Sequence, residues 1–169
     1  MPLWRDGGFA DDVWTTLDDS APIPERGAIV VSFARWSVEK AALATRAKPV
    51  GVAIAAGKET VEQLAEAARR PLVALNFDKF ADGRAFSYAE LLRERHGFKG
   101  ELRATGDVLL DEMAFMQRCG FTSFEVTDAN TLRALREGRA PRGTLFYQPA
   151  PGQREAPAGT RPWLRRAAS

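Results

Sequence analysis

The residues best suited to chemistry lie in segment 76–87, where charged side chains and a glycine directly follow a short apolar stretch. Lys79 and Arg84 flank a glycine-bearing loop and could hold an anion such as sulfate, phosphate or a carboxylate. Asp82 lies between them and could orient Arg84 or act as an acid or base. The same residues also fit a solvated turn at Asp82-Gly83, so a binding loop and a simple turn both remain open.

A further cation, Arg103, lies between the apolar residues Leu102 and Ala104 inside a predicted strand. A charge in such a strand must face a partner, a site or a sheet edge, because an uncompensated charge is costly to bury. Arg103 is therefore either a site residue or part of a structural ion pair with Glu101 or Asp107. The candidate catalytic residues are Asp82, Arg84 and Arg103, and the candidate anion-binding residues are Lys79, Arg84 and Arg103.

The elements that must position these residues are apolar strands alternating with amphipathic helices. Strands are predicted at 28–32, 50–55, 72–77, 102–105 and 122–126, with a sixth at 144–147, and helices at 36–46, 60–69, 87–95, 108–118 and 128–137. This alternation indicates one α/β domain with a mostly parallel sheet of five or six strands, flanked on both faces by helices. A half or incomplete (β/α) barrel is the alternative, because a full barrel normally needs about 250 residues.

The carboxyl ends of parallel strands meet at one edge of a sheet, so polar residues that follow the predicted strands should gather there. Those residues are Ser32, Gly57, Lys58, Asn76, Asp78, Lys79, Asp82, Arg84, Thr105, Asp107 and Asp128. Some polar residues also have a structural explanation, since Ser87, Asp107 and Asp128 each precede a predicted helix. We predict that these three are helix N-caps.

The two ends of the chain differ in composition from the predicted α/β domain, which spans residues 28–148. Residues 3–17 predict a small hairpin around Asp6-Gly7-Gly8, and Pro22 and Pro24 mark a connector that reaches residue 27. Residues 149–169 are rich in Pro, Arg and Ala, and we expect this tail to be disordered because it buries too little apolar surface.

Composition excludes several classes of function. The formal net charge of +2 gives no broad attraction to nucleic acid or to a membrane surface. No apolar run approaches the roughly 18 residues that span a bilayer, and the first residues lack a signal-peptide core, so we expect a cytoplasmic protein. With His96 and Cys119 as its only histidine and cysteine, the chain alone cannot build a closed zinc site or an iron–sulfur cluster. We predict a helix-capping role for His96 and a buried, inert thiol for Cys119.

The chain resembles the bacterial domain-of-unknown-function family nine-three-four over nearly all of its length up to about residue 149. The motifs that show the resemblance lie at 72–75, 79–80, 82–84, 87, 91–93, 97–98, 100–109, 118–121 and 146–149. Asp78, Ala85 and Phe86 depart from the Pro, Gly and Tyr that are common in the family at those positions. If the tyrosine hydroxyl served chemistry, this chain lacks it.

The resemblance implies a role in sulfur assimilation, because members tend to be encoded beside sulfite reductase and are often described as oxidoreductases. We therefore expect an accessory protein of assimilatory sulfate or sulfite reduction that acts with sulfite reductase or its electron donor. The sequence contains no cofactor motif, which favours this accessory role. One alternative is a small oxidoreductase with a borrowed flavin or nicotinamide, its pocket lined by Asp82, Arg84 and Arg103. The other is a non-enzymatic anion-sensing or scaffolding module.

Overall fold

The computed structural model describes residues 1–55, 61–77 and 83–139. The strands in these ranges are β1 Leu3–Arg5, β2 Gly8–Ala10, β3 Trp14–Thr16, β4 Ala28–Ser32, β5 Val50–Ala55, β6 Leu72–Phe77, β7 Glu101–Gly106 and β8 Ser123–Glu125. The α-helices are α1 Phe33–Ala44, α2 Val61–Ala67, α3 Arg84–Glu90, α4 Leu110–Arg118 and α5 Ala129–Arg136, and a π-helical turn, Leu91–Arg95, continues α3.

All eight strands form one sheet in the order β2-β1-β8-β7-β6-β5-β4-β3. The run from β3 to β8 is parallel throughout, while β1 pairs antiparallel with β2 and with β8. This confirms the predicted α/β class with a mostly parallel sheet. The sheet has more strands than predicted because the N-terminal segment supplies three of them, β1, β2 and β3.

The sheet is curled into a half-barrel, which was the alternative architecture. Its two edge strands, β2 and β3, are separated in sequence only by residues 11–13, which we call the strap. The four Cα steps from Ala10 to Trp14 span at most about 14 Å. Eight strands laid flat would separate the same edges by about 33 Å. The short strap can therefore join the edges only because the sheet curls.

Helices within the described ranges pack on one face of the sheet, which we call the outer face. Successive residues of a strand point to opposite faces, and the outer-face residues Val52, Leu75 and Leu102 belong to one buried cluster with helical residues such as Trp36 and Leu92. On the inner face, by contrast, the small buried cluster contains strand residues alone, namely Val30, Leu72 and Ala74 with Trp14 and Ala53 against them.

The prediction of helices on both faces is therefore wrong for the described part of the chain. Most inner-face positions of the central strands are small or polar, as at Gly51, Ala53, Ala74, Arg103 and Thr105, and Val30 and Leu72 are the larger apolar exceptions. A helix needs a broad apolar surface to pack against, and these side chains offer little.

The predicted N-terminal hairpin is shorter than expected. Its turn is confirmed, with Asp6 and Gly7 in the left-handed region at φ 53° and 81° between β1 and β2. However, Trp14–Thr16 does not belong to the hairpin, because it pairs in parallel with β4 at the opposite edge of the sheet.

One of the three predicted N-caps is confirmed and two are wrong. The Asp128 carboxylate accepts a 2.7 Å hydrogen bond from the Thr131 amide at the start of α5. Ser87 lies inside α3, which begins earlier because Ala85 is fully buried and Phe86 packs against Phe77. Asp107 precedes α4 without capping it; its amide instead donates to the Phe77 carbonyl at 2.9 Å.

The predicted strand at 144–147 and the predicted tail at 149–169 lie outside the described residues. Among the described helices, none has the length and apolar character that crossing a membrane requires.

Candidate functional site

A groove of about 560 Å³ lies on the inner face of the curled sheet. Its floor includes Val30, Ala53 and Ala74, which belong to three adjacent strands. Ala53 and Ala74 are direct neighbours in the β5–β6 register, so two small side chains meet at the middle of the sheet. The groove exists because no bulky side chain fills this position.

The rim of the groove is polar and follows the carboxyl ends of the parallel strands. Ser32 ends β4, Asn76 and Thr105 lie near the ends of β6 and β7, and all three line the groove. The Thr105 hydroxyl lies 3.3 Å from the Asn76 side-chain oxygen and donates to it. The predicted gathering of polar residues at this edge is therefore observed for these three.

Arg103 lies at the groove with only 2% of its surface exposed, and it is held by two carboxylates. Its two terminal nitrogens donate to the two oxygens of Asp12 at 2.7 and 2.9 Å, and its Nε donates to Glu101 Oε1 at 3.1 Å. The Ser123 hydroxyl donates to the same Glu101 oxygen at 2.6 Å. The predicted ion pair with Glu101 is thus observed, but its second acid is Asp12 of the strap and not Asp107.

The environment of this pair keeps both members charged. Burial on its own raises the pKa of Asp12, but hydrogen bonds from Arg103 and the Trp14 amide, with the charge of Arg103, outweigh burial and leave the pKa below its usual value. Burial on its own would lower the pKa of Arg103. The hydrogen bonds from Arg103 to Asp12 and Glu101 outweigh burial, so the pKa of Arg103 lies above its usual value. The positive charge of Arg103 is therefore compensated inside the protein.

The connector before β4 is fixed at the same rim by a second hydrogen-bonded group. Asp19 accepts a 2.6 Å hydrogen bond from the Ser32 hydroxyl, which itself caps α1 by accepting from the Arg35 amide at 3.0 Å. The buried Arg35 side chain donates to the carbonyls of Asp18 and Ala21 at 2.7 and 2.8 Å. These bonds hold the Asp19 carboxylate beside the groove, where it is one of the lining residues.

The predicted site residues are not all brought together. Lys79 and Asp82 lie outside the described residues, as do Gly57, Lys58 and Asp78. Arg84 begins α3, a helix packed against the outer face, and it is not among the described residues that line the groove. Arg103 does line it, so the groove contains one of the two described candidates. The sequence analysis missed Asp12 and Asp19, which no local pattern distinguishes from turn residues.

The single cysteine and the single histidine lie elsewhere. Burial, together with the nearby Glu90 carboxylate, raises the pKa of Cys119 to about 11, so the thiol stays protonated. This agrees with the predicted inert thiol. His96 directly follows the π-helical turn, where its backbone amide donates to the Leu91 carbonyl, while its buried Nε2 has no hydrogen-bond partner among the described residues. Within the described ranges, no group of three or more His, Cys, Asp or Glu side chains is arranged to hold a metal ion.

Comparison with known proteins places the sequence of this chain in a family. The sequence profile described as bacterial protein of unknown function (DUF934) matches residues 51–158. The chain belongs to this family. In the DUF934 protein the match covers β5 from its second residue onward and all of β6 to β8, and with them Ala53, Ala74 and Arg103 of the groove. Asp12 and Asp19 precede it. No curated protein sequence and no solved structure matches the chain.

Proposed function

We propose that this protein is an accessory component of assimilatory sulfate and sulfite reduction, which acts with sulfite reductase or its electron donor through the inner-face groove. The observation that supports a binding role is the inner face itself, which the described helices leave uncovered. The family resemblance supplies the association with sulfite reductase. The groove supplies a surface on which a partner segment can be bound.

The composition of the groove suits binding. Its floor of Val30, Ala53 and Ala74 offers apolar surface, and Ser32, Asn76 and Thr105 make its rim polar. Sites of this kind obtain affinity from burial of apolar surface and orientation from a few polar groups.

The charges of the groove favour a neutral or cationic segment over a sulfur oxyanion. Arg103 is already paired with Asp12 and Glu101, so its charge is not available to a bound anion. Asp19 and Glu125 add two carboxylates to the lining. The terminal amino group of Met1 is the one other cation of the described lining, so the surface does not concentrate positive charge for an oxyanion.

A pull-down from native cells growing on sulfate tests the proposal. The tagged protein is compared with Ala53→Phe, which fills the groove, and with Val38→Phe, which adds the same ring on an α1 residue that is 86% exposed. We expect wild type and Val38→Phe to recover sulfite reductase or its electron donor, as identified by mass spectrometry, and Ala53→Phe to lose it while keeping its far-UV circular dichroism. Equal recovery by a folded Ala53→Phe, or recovery of the tagged chain alone in every sample, contradicts the proposal.

A small oxidoreductase with a borrowed cofactor is the second candidate, and the size of the groove favours it. Its volume of about 560 Å³ falls within the range of small-molecule sites. Titration with a flavin mononucleotide or a reduced nicotinamide, followed by fluorescence, tests this reading. Saturable binding that Ala53→Phe abolishes and Val38→Phe leaves intact supports the enzyme; absence of saturable binding removes it.

A further inference from the structure

A second cavity lies at the amino ends of the parallel strands, where β5 and β6 begin. It has a volume of about 320 Å³ and lies between the segments that follow α1 and α2. Four of its described lining residues are cationic, namely Arg46, Lys48, Arg69 and Arg70, and none is acidic. We call it the basic pocket. The charges that an anion needs are therefore concentrated here, and not at Arg103.

Arg46 is fixed in the basic pocket without losing its charge. Its Nη2 donates to the carbonyls of Pro24 and Gly27, each at 2.8 Å, and its Nη1 lies 3.4 Å from the Pro49 carbonyl. These partners are neutral, unlike the carboxylates that surround Arg103. Its Nε is buried and has no hydrogen-bond partner among the described residues. The guanidinium is thus pre-positioned and uncompensated.

Arg70 is held by an aromatic ring. Its guanidinium carbon lies 4.3 Å from the ring centroid of Trp36, a cation–π contact with a side chain that is 1% exposed. The nearest acid, Glu66, accepts 2.8 Å hydrogen bonds from Lys40 Nζ and from Trp36 Nε1. Those two bonds lower the pKa of Glu66, and the more distant charge of Arg70 adds only a smaller effect. Lys40 is therefore the direct partner of Glu66, and Arg70 remains available.

The described residues show no structural role for the side chains of Lys48 and Arg69. Both are exposed, and neither side chain makes a hydrogen bond or an ion pair within that part of the chain. Basic residues often stabilise the C-terminus of a helix, but that effect is confined to the last turn. Neither α1 nor α2 has a basic residue in its last turn. Helix stabilisation therefore does not explain the four cations.

We infer that the basic pocket binds a tetrahedral oxyanion, either free sulfate or phosphate or the phosphate group of a nucleotide. Arginine forks bind such oxyanions through paired N–H donors, and a lysine adds a mobile point charge. Arg70 supplies a fixed guanidinium, and Arg46 supplies a fixed positive charge whose Nη2 donors are already held by backbone carbonyls. Lys48 and Arg69 close on the ion from the solvent side. The inference does not depend on the proposed function, because the groove follows the carboxyl ends of the parallel strands and the basic pocket lies at their amino ends.

Calorimetric titration of the full chain with sodium sulfate, sodium phosphate and adenosine monophosphate tests the inference, with ionic strength held constant by sodium chloride. The test variant, Lys48→Gln/Arg69→Gln, removes two charges from the basic pocket. The control, Arg95→Gln/Lys99→Gln, removes one exposed arginine and one exposed lysine elsewhere. We expect one saturable site in wild type and the control, weakened at least tenfold in the test variant. Tighter binding of the nucleotide than of either inorganic ion identifies a nucleotide phosphate; the reverse identifies a free ion.

Three results overturn the inference: no saturable binding to wild type, unchanged affinity in the test variant, or equal weakening in both double variants. Thermal unfolding without anion establishes that the variants fold. If the double variant does not fold, Arg69→Gln alone is compared with wild type instead.

Discussion

Removing the Asp12 carboxylate should release the strap from the floor of the half-barrel. In Asp12→Ala, the buried Arg103 loses two charge-assisted hydrogen bonds, at 2.7 and 2.9 Å, and keeps only those to Glu101. Hydrogen bonds to charged groups are worth roughly 1.5–3 kcal/mol each, and breaking a buried pair costs about 3–5 kcal/mol. The Asp12 side chain is 24% exposed and one acid remains, so we expect the free energy of unfolding to fall by about 2–3 kcal/mol.

Urea unfolding measures this loss, and the strap provides its own control. Asp11 is exposed and precedes Asp12, so Asp11→Ala should change the unfolding free energy by less than about 0.5 kcal/mol. A double-mutant cycle with Arg103→Met isolates the pair. Its coupling energy should be about 1.5–3 kcal/mol, because the second substitution costs less once the first has removed the partner. A loss in Asp12→Ala no larger than in Asp11→Ala, or additive effects in the cycle, refutes the reasoning.

The same pair makes a prediction about pH. The pKa of Asp12 is lower in the folded protein than in the unfolded chain, where it is about 3.9. A group with a lowered folded pKa stabilises the protein fully above its unfolded pKa and loses that effect as the pH falls through the folded pKa. The difference in unfolding free energy between wild type and Asp12→Ala should therefore be constant near neutral pH and shrink below about pH 4. A difference that grows on acidification contradicts this assignment.

Two further predictions test the backbone and the thiol. Gly106→Ala should cost at least about 2 kcal/mol, because φ is 85° and a Cβ would clash with the Phe77 carbonyl oxygen, well inside van der Waals contact; Gly138→Ala, with φ 78° and open space, should cost about 1 kcal/mol. Urea unfolding of both variants gives the comparison, and equal losses contradict the steric argument. Cys119 should react with a thiol reagent at pH 8 only as the protein unfolds, since its pKa is raised to about 11; rapid labelling of the folded protein contradicts this.

Strand positions were predictable because apolar runs and prolines both mark them. β4, β5 and β6 have the predicted bounds, and Pro49 and Pro71 directly precede the last two. Helix starts were less predictable, because α3 begins where Ala85 and Phe86 find tertiary contacts and not at the capping sequence of Ser87. Local signals determine a boundary only where packing does not override them.

The uncovered inner face had a signal that the sequence analysis did not use. In β7, Glu101, Arg103 and Thr105 alternate with Leu102 and Ala104, which is the pattern of a strand with only one apolar face. In β5 the inner-face residues are small and still apolar, and in β6 the inner-face residues Leu72 and Ala74 are apolar as far as Asn76, so the same alternation is hidden there. Such strands can be mistaken for strands covered on both faces.

The position of the strap could not be predicted from local sequence. Asp12 and Arg103 are 91 positions apart in the sequence, and only the curled sheet brings them together. The sequence neighbours of Arg103 therefore offer Glu101 and Asp107 as partners, of which only Glu101 is observed. Ion pairs between distant segments leave no spacing pattern in a single sequence.

The double role of Arg103 determines which variants can test function. Arg103 lines the groove and also holds the strap, so an Arg103→Ala variant changes ligand contact and stability together. Ala53 lies two strands from Arg103 and makes no ion pair itself, so Ala53→Phe fills the groove without removing a member of the Asp12–Arg103 pair. Lys48→Gln/Arg69→Gln changes the basic pocket at exposed positions. If partner recovery depends on Ala53 and anion affinity depends on Lys48 and Arg69, the groove and the basic pocket have separate functions. If one folded variant abolishes both, the two cavities are coupled, and β5, which lines both, is the direct connection between them.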